Sequence, residues 1–527
     1  MAKKRTRKPA PPRPPSTPTT PSTPPTPSTP STPPTVAASP KSATPKPVLV
    51  EPPAFWFGCE ITWAKLLVVR VVMFALLAVD ALLQISHAPR YGAGGFNVAQ
   101  LPGLDTFGPG RVSYEVGQLI VAYLCVLAAC GVATRIVVPV TAAIYAWLYV
   151  GSQLDSYQHH YLVALLFVLL ACVPWQRPPD ATPSTPIRAW ALRLVLVQIG
   201  IVYLWAAISK MHPAWLDGRT LSGQITAGLR STIESTIGFE GAAWLTLLAE
   251  LVLAFAVWIR PAWIVALPLG VAFHLGILAS GLEIGLFAYL MLGLYLLLTP
   301  DRVWVALASL PPVRVLGAAT RRLGDVRGAT GWLVTAAASG LAFVLAWQVR
   351  FEHALVVFAV LTAVPAVLTL VTRRSVGPAH LLAVLVWLLV DLRSSTAVDY
   401  YRFWGGSSRR LGDPVVSEHA YRRLTEVAPD EPAGHYQLGR LLLARGDEAA
   451  GLAALHEAQR LEPLRARAWV AEARYLVAKG RTAEAIEKAR EATYSEPSHA
   501  EARSLLDSFT GAKAPPSAPT TTVDDAP

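Results

Sequence analysis

The chain has 527 residues, of which 53% are hydrophobic and 15% charged, with a mean hydropathy of +0.40. A water-soluble protein of this length needs far more charge, so the composition excludes a large soluble enzyme and points to an all-α polytopic membrane protein. The net charge of +11 lies mostly in the amino-terminal tail and in loops between apolar runs. That makes it a topology signal and argues against a nucleic-acid partner.

Residues 1–53 form a Pro/Thr/Ser-rich tail opened by Lys3, Lys4, Arg5, Arg7 and Lys8. Such a tail buries no core and is expected to be disordered, with polyproline II character. It holds no apolar stretch, so no cleavable signal peptide is expected and the first span serves as its own insertion signal. Cys59, Cys125, Cys130 and Cys172 lie in or beside apolar segments. Their spacing offers neither a disulfide framework nor a metal site, and they read as small buried hydrophobes.

Apolar runs then follow one another near 61–84, 114–132, 136–152, 160–174, 190–210, 241–259, 262–280, 284–299, 331–349, 354–372 and 379–396. About 20 apolar residues cross a bilayer, so these predict eleven spans. With the basic tail inside, the loops holding Arg135, Arg177, Arg188, Arg260, Arg302 and Arg373 all fall on the cytoplasmic side. Lys210, His159 and the end of the chain then fall on the outer face of an inner membrane.

Within these spans, polar residues are costly. An arginine at a helix centre costs about 2.5–3.5 kcal/mol on insertion scales, so Arg70 must face a partner or the bundle interior. Asp80, ten residues on, is too far along the helix to pair with it. At the start of the fourth span come Gln158, His159, His160, Tyr161 and Leu162. Adjacent histidines point about 100° apart on a helix and make a poor metal site. The fifth run carries Gln198, Ile199, Ile201, Val202 and Tyr203, then small and apolar residues, then Lys210, Trp215 and Gly218. On position alone, Lys210 reads as a snorkelling lysine beside interfacial aromatics.

The wording of that run resembles the segment of vitamin K-dependent gamma-glutamyl carboxylases that carries their catalytic lysine. The family reads Gln-Ile-x-Ile-Val-Tyr, then Lys-Lys, then Trp-x-x-Gly after four residues. Lys210 matches the second lysine and Ser209 replaces the first. The same domain is widespread in bacteria as the horizontally transferred transmembrane (HTTM) domain. Arg70 and Asp80 match an Arg and an Asp in the family's first span. His159 matches the histidine of Asn-His-x-Tyr-Leu, with Gln158 in place of the asparagine. His274, after Phe273, matches a Phe-His pair, followed by Ile284, Gly285, Phe287, Tyr289 and Met291 with a gap one residue longer. Glu283 is an acid that the family pattern does not supply.

The resemblance covers about residues 60–305. It implies a site in which Lys210 is the base and His159 stabilises charge, with Tyr203, Gln198, Trp215, His274 and Arg70 about the cofactor. The cofactor implied is vitamin K hydroquinone or a menaquinol-like quinol, with carbon dioxide and dioxygen as co-substrates. The base takes a quinol proton, the oxygenated quinone takes a γ-proton from a substrate glutamate, and the carbanion captures carbon dioxide. A free lysine, with a pKa near 10.4, is charged at pH 7. An apolar pocket is expected to make it neutral.

Past 305 the resemblance stops, and residues 306–398 read as further spans. Residues 399–511 carry a repeat of period 34: Leu442 with Leu476, Ala458 with Ala492, and Pro429, Pro463 and Pro497. With Gly439, Ala473 and Ala485 this is the tetratricopeptide pattern, read as two full units, a half unit before them and a closing helix. Such an α-solenoid offers a groove for a protein or peptide partner, or packs against the membrane part. Residues 512–527 read as a disordered end. Two functions stay open: a quinol-dependent carboxylase acting on glutamate side chains, or a non-catalytic lipid- or quinone-binding protein that recruits partners through its repeats.

Overall fold

The computed structural model describes residues 59–95, 97–154, 158–225, 229–282, 284–315, 328–348, 354–372, 376–393 and 396–510. Both tails and Glu283 lie outside the described residues. The described chain is helical except for one short ribbon. Glu60–Thr62 pairs antiparallel with Pro186–Arg188, with Ile61 opposite Ile187. The ribbon sets the helices Trp63–Gln84 and Trp190–Ser209 starting side by side. That side of the bundle is called the near end below. The far end is where both helices finish.

Trp63–Gln84 is the central helix, packing on Arg111–Cys130, Phe287–Leu294 and Gly377–Arg393. Its inward residues Leu66, Met73, Phe74 and Leu77 are at most 1% exposed. Their spacing of three, four and seven keeps them on one stripe. Each of the eleven predicted runs is helical, but the expected count is not reached. Among the described residues five helices are long and apolar enough to cross a membrane: Trp63–Arg90, Arg111–Cys130, Trp190–Ser209, Gly238–Ala256 and Arg260–Ala279. A sixth is reached if Phe287–Leu298 and Asp301–Ser309, bent by 90°, form one span. The other runs are apolar helices too: Thr134–Val150, Gln158–Ala171, Gly328–Gln348, Ala354–Thr372 and Gly377–Arg393.

Lys65 locks the 90° bend at the near end. It is 3% exposed and donates to the carbonyls of Leu297 at 2.7 Å and Thr299 at 2.6 Å, with Asp301 at 3.7 Å. Asp301 also accepts from the Thr62 backbone and hydroxyl, both at 2.8 Å. The later apolar helices join the bundle through His380, which is fully buried and bonded to Tyr123 at 3.0 Å and Ser339 at 3.1 Å.

The carboxy-terminal part forms helical hairpins at the 34-residue period. The expected half unit is a complete hairpin, Thr396–Arg410 with Pro414–Val427. Gly405 meets the Tyr421 ring as Gly439 meets Leu455, one period later. This first hairpin sits on the far end. Arg111 lies 3.9 Å from the Trp404 ring centroid, Tyr400 donates to Glu115 at 3.1 Å, and Arg90 lies over Phe403 at 4.5 Å.

Candidate functional site

On the helix Trp190–Ser209, Tyr203 and Lys210 are seven residues apart, about two turns. They share a face and lie about 10 Å apart along the axis. Lys210 caps the helix end. A helical side chain leans toward its helix start, and the Lys210 Nζ lies 3.4 Å from the Ala206 carbonyl. There it donates to Oε1 of Glu250, 2.8 Å away on the antiparallel helix Gly238–Ala256. The two side chains are 19% and 5% exposed. The expectation of a lysine in a purely apolar pocket is therefore corrected, because its nearest polar partner is a carboxylate.

Trp215 lies beside the ammonium, its ring centroid 5.1 Å from Nζ. It is buried with Leu221, Ile225, Ala242 and Ala243. Three residues on, Gly218 holds φ at 78°. A Cβ there would come within 2.5 Å of the Phe239 carbonyl carbon. The Trp-x-x-Gly spacing thus lays a ring against the lysine and then presses backbone onto the glutamate's helix. Next to it, on the exposed loop, the Arg219 backbone N–H holds Asp217 below the usual carboxylate range.

Deeper along the same face, the Tyr203 hydroxyl is bonded to His274 Nε2 at 2.7 Å and, more closely, to the Tyr295 hydroxyl. His274 comes from Trp263–Ala279 and is fully buried. Gly270, one turn before it, supplies the slot for Tyr295, since a Cβ there would overlap the phenol. Phe273 and Phe287 wall the imidazole, with centroids 5.3 and 6.0 Å away. Phe287 also lines a small cavity with Leu77, Asp80 and His159. The His159 and His160 rings are tilted against each other, centroids 4.0 Å apart, while His160 is buried against the Tyr145 hydroxyl at 3.2 Å.

Buried polar atoms normally find a hydrogen-bond partner. Around this face four have none: Trp215 Nε1, Glu250 Oε2, His274 Nδ1 and, beside Phe287, Asp80 Oδ2. Each can still form a hydrogen bond, and aromatic rings flank the imidazole. No cluster of metal ligands occurs among the described residues.

The structure does not bring every candidate here. Gln198 is five residues before Tyr203 and so turned about 140° around the helix. Arg70 belongs to the near half, where it donates to the Trp175 carbonyl at 2.9 Å and lies over Trp63 at 5.9 Å. Tyr289, in the matched block, is 47% exposed and points outward. Two residues that sequence reasoning passed over belong to the site: Glu250 and Tyr295. Glu250 was visible in principle, as a lone acid in the apolar run from Ala242 to Ala256. Tyr295 carried no such signal, because only the turn of its helix separates it from Tyr289.

Residues 60–304 match the family model of the HTTM domain. The match spans somewhat under half of the chain, which is similar to the HTTM domain over that segment. Lys210, Glu250, Tyr203, His274, Tyr295, Asp80 and His159 all lie inside the HTTM segment, and the last three apolar helices and the hairpin repeats lie outside it. No curated protein matches the sequence.

Proposed function

We propose that the HTTM segment is a quinol-dependent, carboxylase-like enzyme acting on glutamate side chains of protein substrates. Lys210 and Glu250 form its proton-handling pair. The observation that carries this reading is the set of unmet polar atoms on Trp215, Glu250 and His274, grouped on one aromatic-walled face with Lys210 and Tyr203. A hydroquinone has two hydroxyls on a flat apolar ring, and the residues offer matching chemistry: open polar atoms on the Trp215 indole and the His274 imidazole, and aromatic faces at Phe273 and Phe287. When bound, it supplies, on reaction with dioxygen, the base that takes a glutamate γ-proton so that carbon dioxide adds at that carbon.

The protein's own part is to accept and hold a proton. A lysine in hydrogen-bond contact with a buried carboxylate can pass its proton along that contact and present the amine as a general base. Glu250 is then a positioning residue for Lys210, and Tyr203 orients His274 through its hydroxyl. Asp80 on the first span and His159 on the helix Gln158–Ala171 stand beside Phe287 and bound the site. Membrane placement follows the arginine distribution, with the hairpin repeats and Lys210 on the outer face.

The test is hydroquinone epoxidation by the purified chain. Lys210→Ala is expected to lower turnover by about 10²–10⁴-fold, the usual size of a general-base contribution. It should also lose thermal stability, because Glu250, 5% exposed, is left without its cation, so turnover is read per folded molecule. Lys210→Arg should be equally inactive, since a guanidinium stays protonated. Wild-type turnover in Lys210→Ala would remove the base assignment. A second reading, a non-catalytic quinone- or lipid-binding protein that recruits a partner through tetratricopeptide-like repeats, draws support from the docking of the first hairpin on the far end. Absence of turnover with every quinol offered would favour it.

A further inference from the structure

At the near end, away from Lys210, a cavity measures about 290 Å³. Its walls come from the ribbon before the first helix, the start of Trp190–Ser209, and the turn Trp258–Trp263. Three cations line it: Lys65, Arg193 and Arg260. Two carboxylates line it as well, and both are engaged. Asp301 is held by Lys65 at 3.7 Å and by Thr62, and Glu60 faces Arg188 at 3.6 Å. Among the described lining residues, cations outnumber carboxylates three to two.

The rest of the lining is apolar and aromatic, chiefly Leu192, Leu196, Trp258 and Trp263. Both indole N–H groups already donate to backbone carbonyls, Trp258 to Ala254 at 3.1 Å and Trp263 to Val257 at 2.8 Å. Their rings thus serve as walls and not as donors. Arg260 lies over Trp263, 5.8 Å from its centroid. Next along that helix Ile264 is 82% exposed, so the helix beside the cavity turns its side chains outward, as a lipid-facing helix does. Burial pushes the Cys59 thiol above its ordinary value, while Arg260, Arg193 and Lys65 oppose the shift, which places all three charges about one wall.

We infer that this cavity is a binding site for a phosphate anion, of the kind carried by an acidic phospholipid headgroup. An arginine fork matches phosphate oxygens bidentately. Basic pockets between membrane helices take lipid headgroups for that reason. The volume is at the lower end for small-molecule sites, room for a headgroup and not for a whole lipid. Apolar walls at Leu192 and Leu196 suit the first carbons of an acyl chain. The same chemistry admits a free phosphate, and the experiment separates the two. The site is independent of the quinol reading and lies at the other end of the bundle.

The test uses the full chain in detergent, with phosphatidylglycerol, phosphatidylcholine or inorganic phosphate added, read by native mass spectrometry. One phosphatidylglycerol per chain should be retained in preference to phosphatidylcholine. Arg193→Gln and Arg260→Gln should each weaken retention by roughly tenfold, the size of one charge-assisted hydrogen bond. Arg135→Gln, at an exposed position outside the cavity, should not change it. In the unsubstituted chain, phosphatidylglycerol should also slow alkylation of Cys59, followed by peptide mapping, which needs no variant to fold. Protection by the lipid alone identifies a headgroup site. Protection by millimolar inorganic phosphate with displacement of the lipid identifies a soluble phosphate as the ligand of the same site. Equal retention of phosphatidylcholine, unchanged retention in both arginine variants, or no protection of Cys59 by either probe overturns the inference.

Discussion

Two lysines sit at opposite ends of this bundle, and their surroundings differ in kind. Lys65 is 3% exposed, with two carbonyls and a carboxylate about its ammonium, and Asp301 in turn takes two bonds from Thr62. Lys210 has one close partner, Glu250, and beside it lie buried polar atoms with none. A charge whose hydrogen bonds are complete holds a structure together. Polar atoms left unmet beside an ion pair leave room for a further hydrogen-bond partner there. The contrast separates architecture from chemistry better than burial alone, since both lysines are largely covered.

The sharpest way to break the comparison is at Lys65. Lys65→Met leaves Asp301 and the Leu297 and Thr299 carbonyls without their cation, and should cost about 3 kcal/mol of stability. Thermal unfolding in detergent would show it, and a variant as stable as wild type would reduce Lys65 to a surface charge. Arg70→Leu should cost about 2 kcal/mol by the same measurement, because the Trp175 carbonyl loses its guanidinium donor. Quinol turnover per folded molecule should be unchanged in Arg70→Leu, since Arg70 lies in the near half.

At the other lysine the expected signature is the reverse. Glu250→Gln keeps the shape and should lower turnover by about tenfold with little change in melting temperature. Its pH–rate profile should move as well, which a merely structural glutamate would not do.

The smallest effect is expected in the hairpin repeats, at Glu472. Burial raises its pKa, but hydrogen bonds from Gln459, His456 and Lys488 more than offset this and hold the carboxyl below its ordinary value. A depressed folded pKa contributes stability that is full above the unfolded value, about 4.3, and is lost as pH falls through the folded one. Hydrogen exchange in Ala466–Ser495 should therefore quicken as pH is lowered below about 4.3, after correction for the intrinsic exchange rate. Glu472→Gln should flatten that dependence, and an unchanged profile would count against it.

Sequence alone determined the membrane class, the position of every apolar helix, the repeat of period 34 and the stretch from Gln198 to Gly218. Each of these is local: a run of apolar residues, a fixed spacing, or a motif read along one segment. Gln198 and Tyr203 stand five residues apart in one motif, yet the helix turns them to different faces. Glu250 is 40 residues from Lys210 and Tyr295 is 92 from Tyr203. No local pattern couples such pairs. The antiparallel packing of Trp190–Ser209 and Gly238–Ala256 delivers the carboxylate, and the slot at Gly270 delivers the second phenol. Tertiary structure also settled which arginine belongs to which end and that the first hairpin is complete, because both depend on what a helix packs against and not on its own residues.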